Sequence, residues 1–147
     1  VAGYIDMPML DECYVAVGGA ATMNRAPIRT SRVTELSRAR IATTSPEALK
    51  PDSLDAFNRL SAASATSTYG GDCHNYALLA AGHVDIVLED GLATHDIMGV
   101  VEVIRAAGGI VTDKTGAAVT MQGTDSLLAA STPELHAAAL ALAGKSG

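Results

Sequence analysis

The chain predicts an α/β fold, a layered sandwich in which at least part of the sheet is parallel. Two observations carry this: short apolar, β-branched runs alternate with stretches of helical periodicity along most of the length, and glycines punctuate the ends of those stretches. With 147 residues, 48% hydrophobic and 18% charged, there is enough apolar material for one real core and no sign of a disordered chain.

Residues 3–7 and 13–17 read as strands, the second ending at a Gly18-Gly19 turn, and residues 27–29 form a short extended stretch. The β-branched run at residues 40–44 is another strand. Ser45-Pro46-Glu47 starts a short helix that Pro51 is expected to end, and a second helix covers residues 54–62. The small, polar residues 61–71 suggest a short strand running into a glycine loop. Residues 72–81 are a helix stopped by Gly82, residues 84–88 a strand, residues 97–107 a helix, and residues 110–112 and 127–130 strands. A final helix spans residues 135–143, with Ser131, Thr132, Pro133 and Glu134 as its capping hydroxyls, early proline and early acid.

The most informative stretch is residues 94–116. Ile97, Val100, Val101, Ile104 and Ala107 recur at the spacing of one buried helix face, and Gly108-Gly109 supply the left-handed stop. Asp96 therefore falls at or beside the N-cap, where exposed N–H groups and the helix dipole favour an ionised carboxylate and attract phosphate oxygens. By position alone an ordinary N-cap is the commoner role for such an aspartate.

Asp96 with its apolar helix, the RAAGG ending and the subsequent IVTDKTG resembles the C-terminal signature of the inositol monophosphatase family of metal-dependent phosphatases. In order, GYIDMPMLDECYVAVGGAATMNRAPI and YGGDCHNYALLAAGHVDIVLEDGL resemble that family's hairpin region and the helix and strand preceding its metal aspartate, so the likeness spans nearly the whole chain. The GDC followed by Tyr76 and Ala77, the TTSP at residues 43–46, and Glu89 seven residues before Asp96 are most similar to the histidinol-phosphate phosphatase branch. Two positions depart from the family's pattern: Thr66, Ser67 and Thr68 stand where an arginine is common, and Asn24-Arg25 replaces the usual Asn-Gly of a hairpin.

The resemblance implies a metal-activated hydrolysis of phosphomonoesters with Mg²⁺ as cofactor and Asp96 as a metal ligand. It also implies that Asp72 and Glu89 face the substrate, selecting it rather than performing the chemistry, with no catalytic group in the chain beyond the metal ligand. The family's remaining metal ligands lie upstream, on a glutamate-bearing helix and an Asp-Pro-x-Asp-Gly-Thr loop not found in these residues. The expectation is thus a C-terminal α/β domain over residues 1–147 that needs a missing N-terminal half for full activity, because one carboxylate supplies only one of the roughly six oxygens Mg²⁺ demands. Histidinol phosphate is the expected substrate, inositol phosphate or another small phosphomonoester the alternative. A non-catalytic binding or assembly half-domain is the competing class. A homodimer is implied by the family.

Other residues read as ordinary. Asp72 follows two glycines and is as well explained as an N-cap. Glu89 ends an apolar strand, at the edge where ligands of α/β sheets gather. Asp85 and Asp90 are expected on the surface, His95 packed beside the helix start, and Cys73 as a small apolar helix residue with no adjacent base. None of His74, His83, His95 and His136 shows zinc-site spacing. Net charge −6 and scattered arginines argue against nucleic acid, and Arg25, Arg29, Arg32, Arg38 and Arg40 read as a solvated edge. Two cysteines, with no secretory leader in view, make the cytoplasm the default, and no apolar run is long enough for a membrane.

Overall fold

The computed structural model describes residues 1–120 and 122–144. Its opening segment, which places Tyr4, Ile5, Tyr14, Val15 and Val17 in short runs, folds as β1 (Ala2–Met7), β2 (Glu12–Val17), β3 (Ala20–Met23) and β4 (Ala26–Pro27), an antiparallel meander ordered β1-β2-β3-β4. Side chains alternate across it: Ile5, Tyr14, Ala16 and Ala21 are buried, whereas Tyr4 and Val17 face outward. Met23 pairs with Ala26, leaving Asn24 and Arg25 as a two-residue loop. Both have positive φ, 49° and 71°, the pattern of a type I′ turn. Asn24 fixes this turn by accepting from Cys13 N at 2.9 Å and donating to Asp11 O at 2.6 Å.

A second sheet, ordered β6-β5-β7-β9-β8, is built from β5 (Arg40–Thr43), β6 (Thr66–Tyr69), β7 (Ile86–Asp90), β8 (Ile110–Thr112) and β9 (Ser126–Ala130). β5 runs parallel to β6 and β7, and β9 antiparallel to β7 and β8, so the sheet is mixed. Strands β7 and β9 are buried along their whole length, as continuous apolar runs require when both faces are covered.

Helices α2 (Cys73–Ala80) and α3 (Thr94–Ala107) lie between the two sheets, while α1 (Pro51–Ala63) and α4 (Pro133–Ala143) cover the far face of the second. Each interface has its own core. Ile5, Tyr14, Val87, Ile97, Val101 and Leu127 belong to the inner one, and Ile41, Phe57, Leu60, Ile86, Leu88 and Leu135 to the outer. Alternation along β7 thus feeds both cores from one strand, giving β-α-β-α layers.

Three local expectations need correction. Pro51 does not end a helix: Pro46–Ala48 is a single 3₁₀ turn, and Pro51 opens α1, where its missing N–H would have had no partner anyway. α3 begins at Thr94 rather than Ile97, which moves Asp96 into the first turn. Asp85 is wholly buried rather than on the surface. It accepts from Arg40 N and Arg40 Nε at 2.8 Å each, from Arg40 Nη2 at 3.0 Å, and from the Ser31 hydroxyl. Arg40 is accordingly half-buried in an ion pair with the buried Asp85, joining β5 to the start of β7, rather than part of a solvated edge. Burial opposes the charge on Asp85, but the hydrogen bonds from Arg40 and Ser31 outweigh it and hold the carboxyl below its ordinary value.

α3 crosses the first sheet at a point of very close approach. A Cβ added to Gly3 would lie 2.5 Å from Gly99 O and 2.8 Å from Glu102 Cβ, so only glycine lets β1 and α3 meet there.

Gly3→Ala is expected to push α3 off the sheet and lower stability by about 1–3 kcal/mol, read from urea denaturation. For Asp85, a depressed carboxyl pKa in the folded state means its stabilisation is present above the ordinary carboxylate range, near pH ~4, and is lost as pH falls through the folded value. Asp85→Asn should therefore be less stable than the parent at pH 7, with the gap narrowing towards pH ~3.

Candidate active site

At the C-terminal ends of the parallel strands β5 and β7, facing the N-terminal ends of α2 and α3, is a cavity of about 400 Å³. Its lining includes Thr43, Thr44, Cys73 and Tyr76 and four carboxylates, Asp72, Glu89, Asp90 and Asp96, with no lysine, arginine or histidine among the described lining residues. The three acids singled out by the sequence are therefore brought to one place, at the strand ends where α/β sheets hold ligands.

Each arrives by different local physics. Asp96 accepts from Ala93 N at 2.9 Å through Oδ2, closing the first turn of α3. Its Oδ1 makes no hydrogen bond among the described residues, with His95 Nε2 at 3.5 Å, and the side chain is half-exposed. Asp72 occupies the N-cap position of α2 but its side chain makes no cap. Gly70, Gly71 and Asp72 all have positive φ, 85°, 106° and 45°. For aspartate this is a strained conformation, and it leaves the carboxylate free at the cavity.

Glu89 is buried and already bonded. Tyr76 OH donates to Oε2 at 2.8 Å, while Oε1 accepts from Thr44 N at 3.1 Å and from the Thr44 hydroxyl, with Asn75 Nδ2 at 3.5 Å. All of these donors are neutral. Burial and the neighbouring Glu89 push the Tyr76 phenol well up, so it stays a donor at neutral pH.

Asp90, expected on the surface, is buried beside Glu89; Oδ2 accepts from Lys50 N at 3.0 Å, and Lys114 Nζ stands 3.8 Å from Oδ1. His95 does not pack against the helix start: its side chain is 84% exposed. His74 turns towards Glu12, 3.5 Å away, and does not line the cavity. Cys73 does line it, but burial and the nearby Asp72 charge raise its thiol, which keeps it protonated and unreactive at neutral pH.

As a ligand for a hard cation, Asp96 fits: one carboxylate oxygen is uncommitted and reachable. One oxygen is not a site, and among the described residues no three His, Cys, Asp or Glu side chains cluster to hold a metal.

Sequence reasoning gave Thr43, Tyr76 and Asp90 no place in the site. The apolar runs of β5 and β7, covered on both faces, carry no alternation that would have marked Thr43 or Asp90, and Tyr76 reads as one more helix residue. No helix among the described residues is long and apolar enough to cross a membrane.

Fold and cavity together define a layered α/β protein with an acidic site at the ends of parallel strands. The chain belongs to the inositol monophosphatase family, whose sequence pattern matches residues 1–147. It is 38% identical over 132 residues to a chloroplastic bifunctional phosphatase of Arabidopsis thaliana, covering 89% of this chain and 38% of that protein. It is 29% identical over 116 residues to a histidinol-phosphatase of Chlorobaculum parvum, covering 78% of this chain and 45% of that protein. Among solved structures, an inositol monophosphatase from Zymomonas mobilis superposes with a TM-score of 0.94 at 31% identity, covering 99% of this chain and 58% of that one. An extragenic suppressor protein from Bartonella henselae gives 0.89 at 28% identity, covering 100% and 57%. The chain thus spans less than half the length of the curated relatives it matches.

Tyr76→Phe should leave a buried Glu89 oxygen without its donor and cost about 1–3 kcal/mol in thermal or chemical denaturation.

Proposed function

We propose that the protein containing this chain is a Mg²⁺-dependent phosphomonoesterase that prefers histidinol phosphate. The observation that carries this is the meeting, in one cavity, of Asp96 with an uncommitted oxygen and of Asp72 and Glu89 beside it. Membership of a family of metal-dependent phosphatases supports the reaction class. Likeness to a histidinol-phosphatase supports the substrate, as does a cavity lined by acids with no basic side chain among the described lining residues, which suits an alcohol carrying a positive nitrogen.

In this reading Asp96 is one ligand of the ion, and the others come from a segment of the same protein beyond these residues. Mg²⁺ bound there supplies Lewis acidity and water of lowered pKa. The first turn of α3 fixes the Asp96 carboxylate through Ala93 N, so little reorganisation is needed when a phosphate arrives. Asp72 is free to pair with the substrate's ammonium. Glu89 shapes the floor of the site through Thr44 and Tyr76 and presents its remaining lone pairs to the alcohol portion. A homodimer in the cytoplasm completes the reading, with Cys13 and Cys73 both free thiols that suit a reducing compartment.

Inositol phosphate or another small phosphomonoester is the alternative substrate, favoured by the likeness to a solved inositol monophosphatase at 31% identity. Steady-state kinetics of the intact protein on histidinol phosphate and inositol 1-phosphate, with and without Mg²⁺, separates the two. Asp96→Asn should lower kcat by ~100-fold or more, whereas Glu89→Gln should chiefly raise KM or shift substrate preference. Equal loss of kcat in both variants would contradict this division of roles.

A further inference from the structure

Two polar atoms at the cavity have no hydrogen-bond partner among the described residues although they are shut away from solvent: Thr43 Oγ1 and Asp90 Oδ1. Thr43 is 1% exposed and the Asp90 side chain 0%. Both residues line the cavity. Such orphans are uncommon, because a buried group without a partner forfeits the hydrogen bonds it had in water. The strand pairing explains why they lie together. Ile41 pairs with Ile86 and Ala42 with Val87; continuing that register sets Thr43 opposite Leu88, so Asp90 is its diagonal neighbour on the same face.

The chemistry of the pair limits what fits. An ionised Asp90 only accepts, and its other oxygen is taken by Lys50 N at 3.0 Å. Lys114 Nζ, at 3.8 Å, is beyond hydrogen-bond reach. It donates instead to Asp52 Oδ2 at 2.8 Å and Ser53 Oγ at 2.9 Å. A phosphate would be repelled by Asp90. An N–H donor suits Oδ1, and the other three carboxylates of the lining favour one that carries positive charge, against which the Lys114 ammonium 3.8 Å from Oδ1 offsets only the charge of Asp90 itself.

We propose that Thr43 and Asp90 form an inner subsite of the cavity that receives the nitrogen-bearing end of a cationic alcohol, Asp90 Oδ1 accepting its N–H and the Thr43 hydroxyl completing the contact. This rests on the phosphatase reading and deepens it: Thr43 and Asp90, with Asp72, set which alcohol is released, while Asp96 serves the phosphate.

The test compares the parent, Asp90→Asn and Thr43→Val as intact protein. Two readouts are taken: the ratio of kcat/KM for histidinol phosphate to that for inositol 1-phosphate, and the Kd of free histidinol by calorimetry. Asp90→Asn places an N–H where an acceptor is required, and the ratio should fall ~10-fold or more, with the loss in KM and a weakened histidinol Kd. Thr43→Val, nearly isosteric and with no intramolecular bond to lose, should lower the ratio several-fold even if Asp90→Asn proves unstable. A ratio unchanged in both variants, with histidinol bound as in the parent, overturns the subsite and leaves the two atoms to ordered water. If the parent hydrolyses neither ester, the phosphatase reading fails separately. Histidinol binding that is weakened by the variants would then still uphold the subsite, and no binding to the parent would overturn it.

Discussion

The placement of the acidic cavity depends on the contact between Gly3 and Gly99. α3 is held between two sheets, and its apolar residues Ile97, Val101 and Ile104 are fully buried. A helix in that position can approach the first sheet only where neither backbone carries a side chain, and the spacing at Gly3 leaves no room for even a methyl group. With that contact made, the first turn of α3 lies at the ends of β5 and β7, and Asp96 reaches the cavity. Any larger separation would carry the carboxylate away from Asp72 and Glu89, because the helix moves as a rigid body.

A second constraint works at the cavity itself. Glu89 and Asp90 are consecutive on β7 and point to opposite faces, yet both bind the same connection. Glu89 accepts from Thr44 N at its start, and Asp90 from Lys50 N at its end. The segment that carries Ser45, Ala48 and Leu49 into the cavity wall is pinned at both ends by one strand. The shell around Glu89 is neutral, whereas Asp85, five residues before Asp90 on the same approach, is satisfied by a guanidinium.

Much of this was legible in the sequence. The periodicity of residues 97–107 and the Gly108 stop located α3, and φ of 100° at Gly108 is the left-handed stop expected. The glycines before Asp72 announced a loop there, and the strand ending at Glu89 announced a ligand edge. What escaped has a common cause. In a strand covered on both faces, apolar residues occur at every position, so alternation does not tell which acid is turned inward. Asp85 and Asp90 looked like ordinary surface residues because their partners, Arg40 and Lys50, lie 45 and 40 residues away. Pro51 was ambiguous for another reason, since proline both ends one helix and begins the next.

The first sheet has a property that its strand order dictates. β1 is an edge strand, bonded only to β2 among the described residues, and beside it Tyr4 and Val17 project from the outer face. An open edge next to exposed apolar side chains is the arrangement by which strands from separate molecules add to a sheet. The net charge of −6 opposes such addition by mutual repulsion, but only within a Debye length that shrinks as salt is added. Colloidal behaviour of the chain on its own is therefore governed by ionic strength, with self-association favoured in concentrated salt.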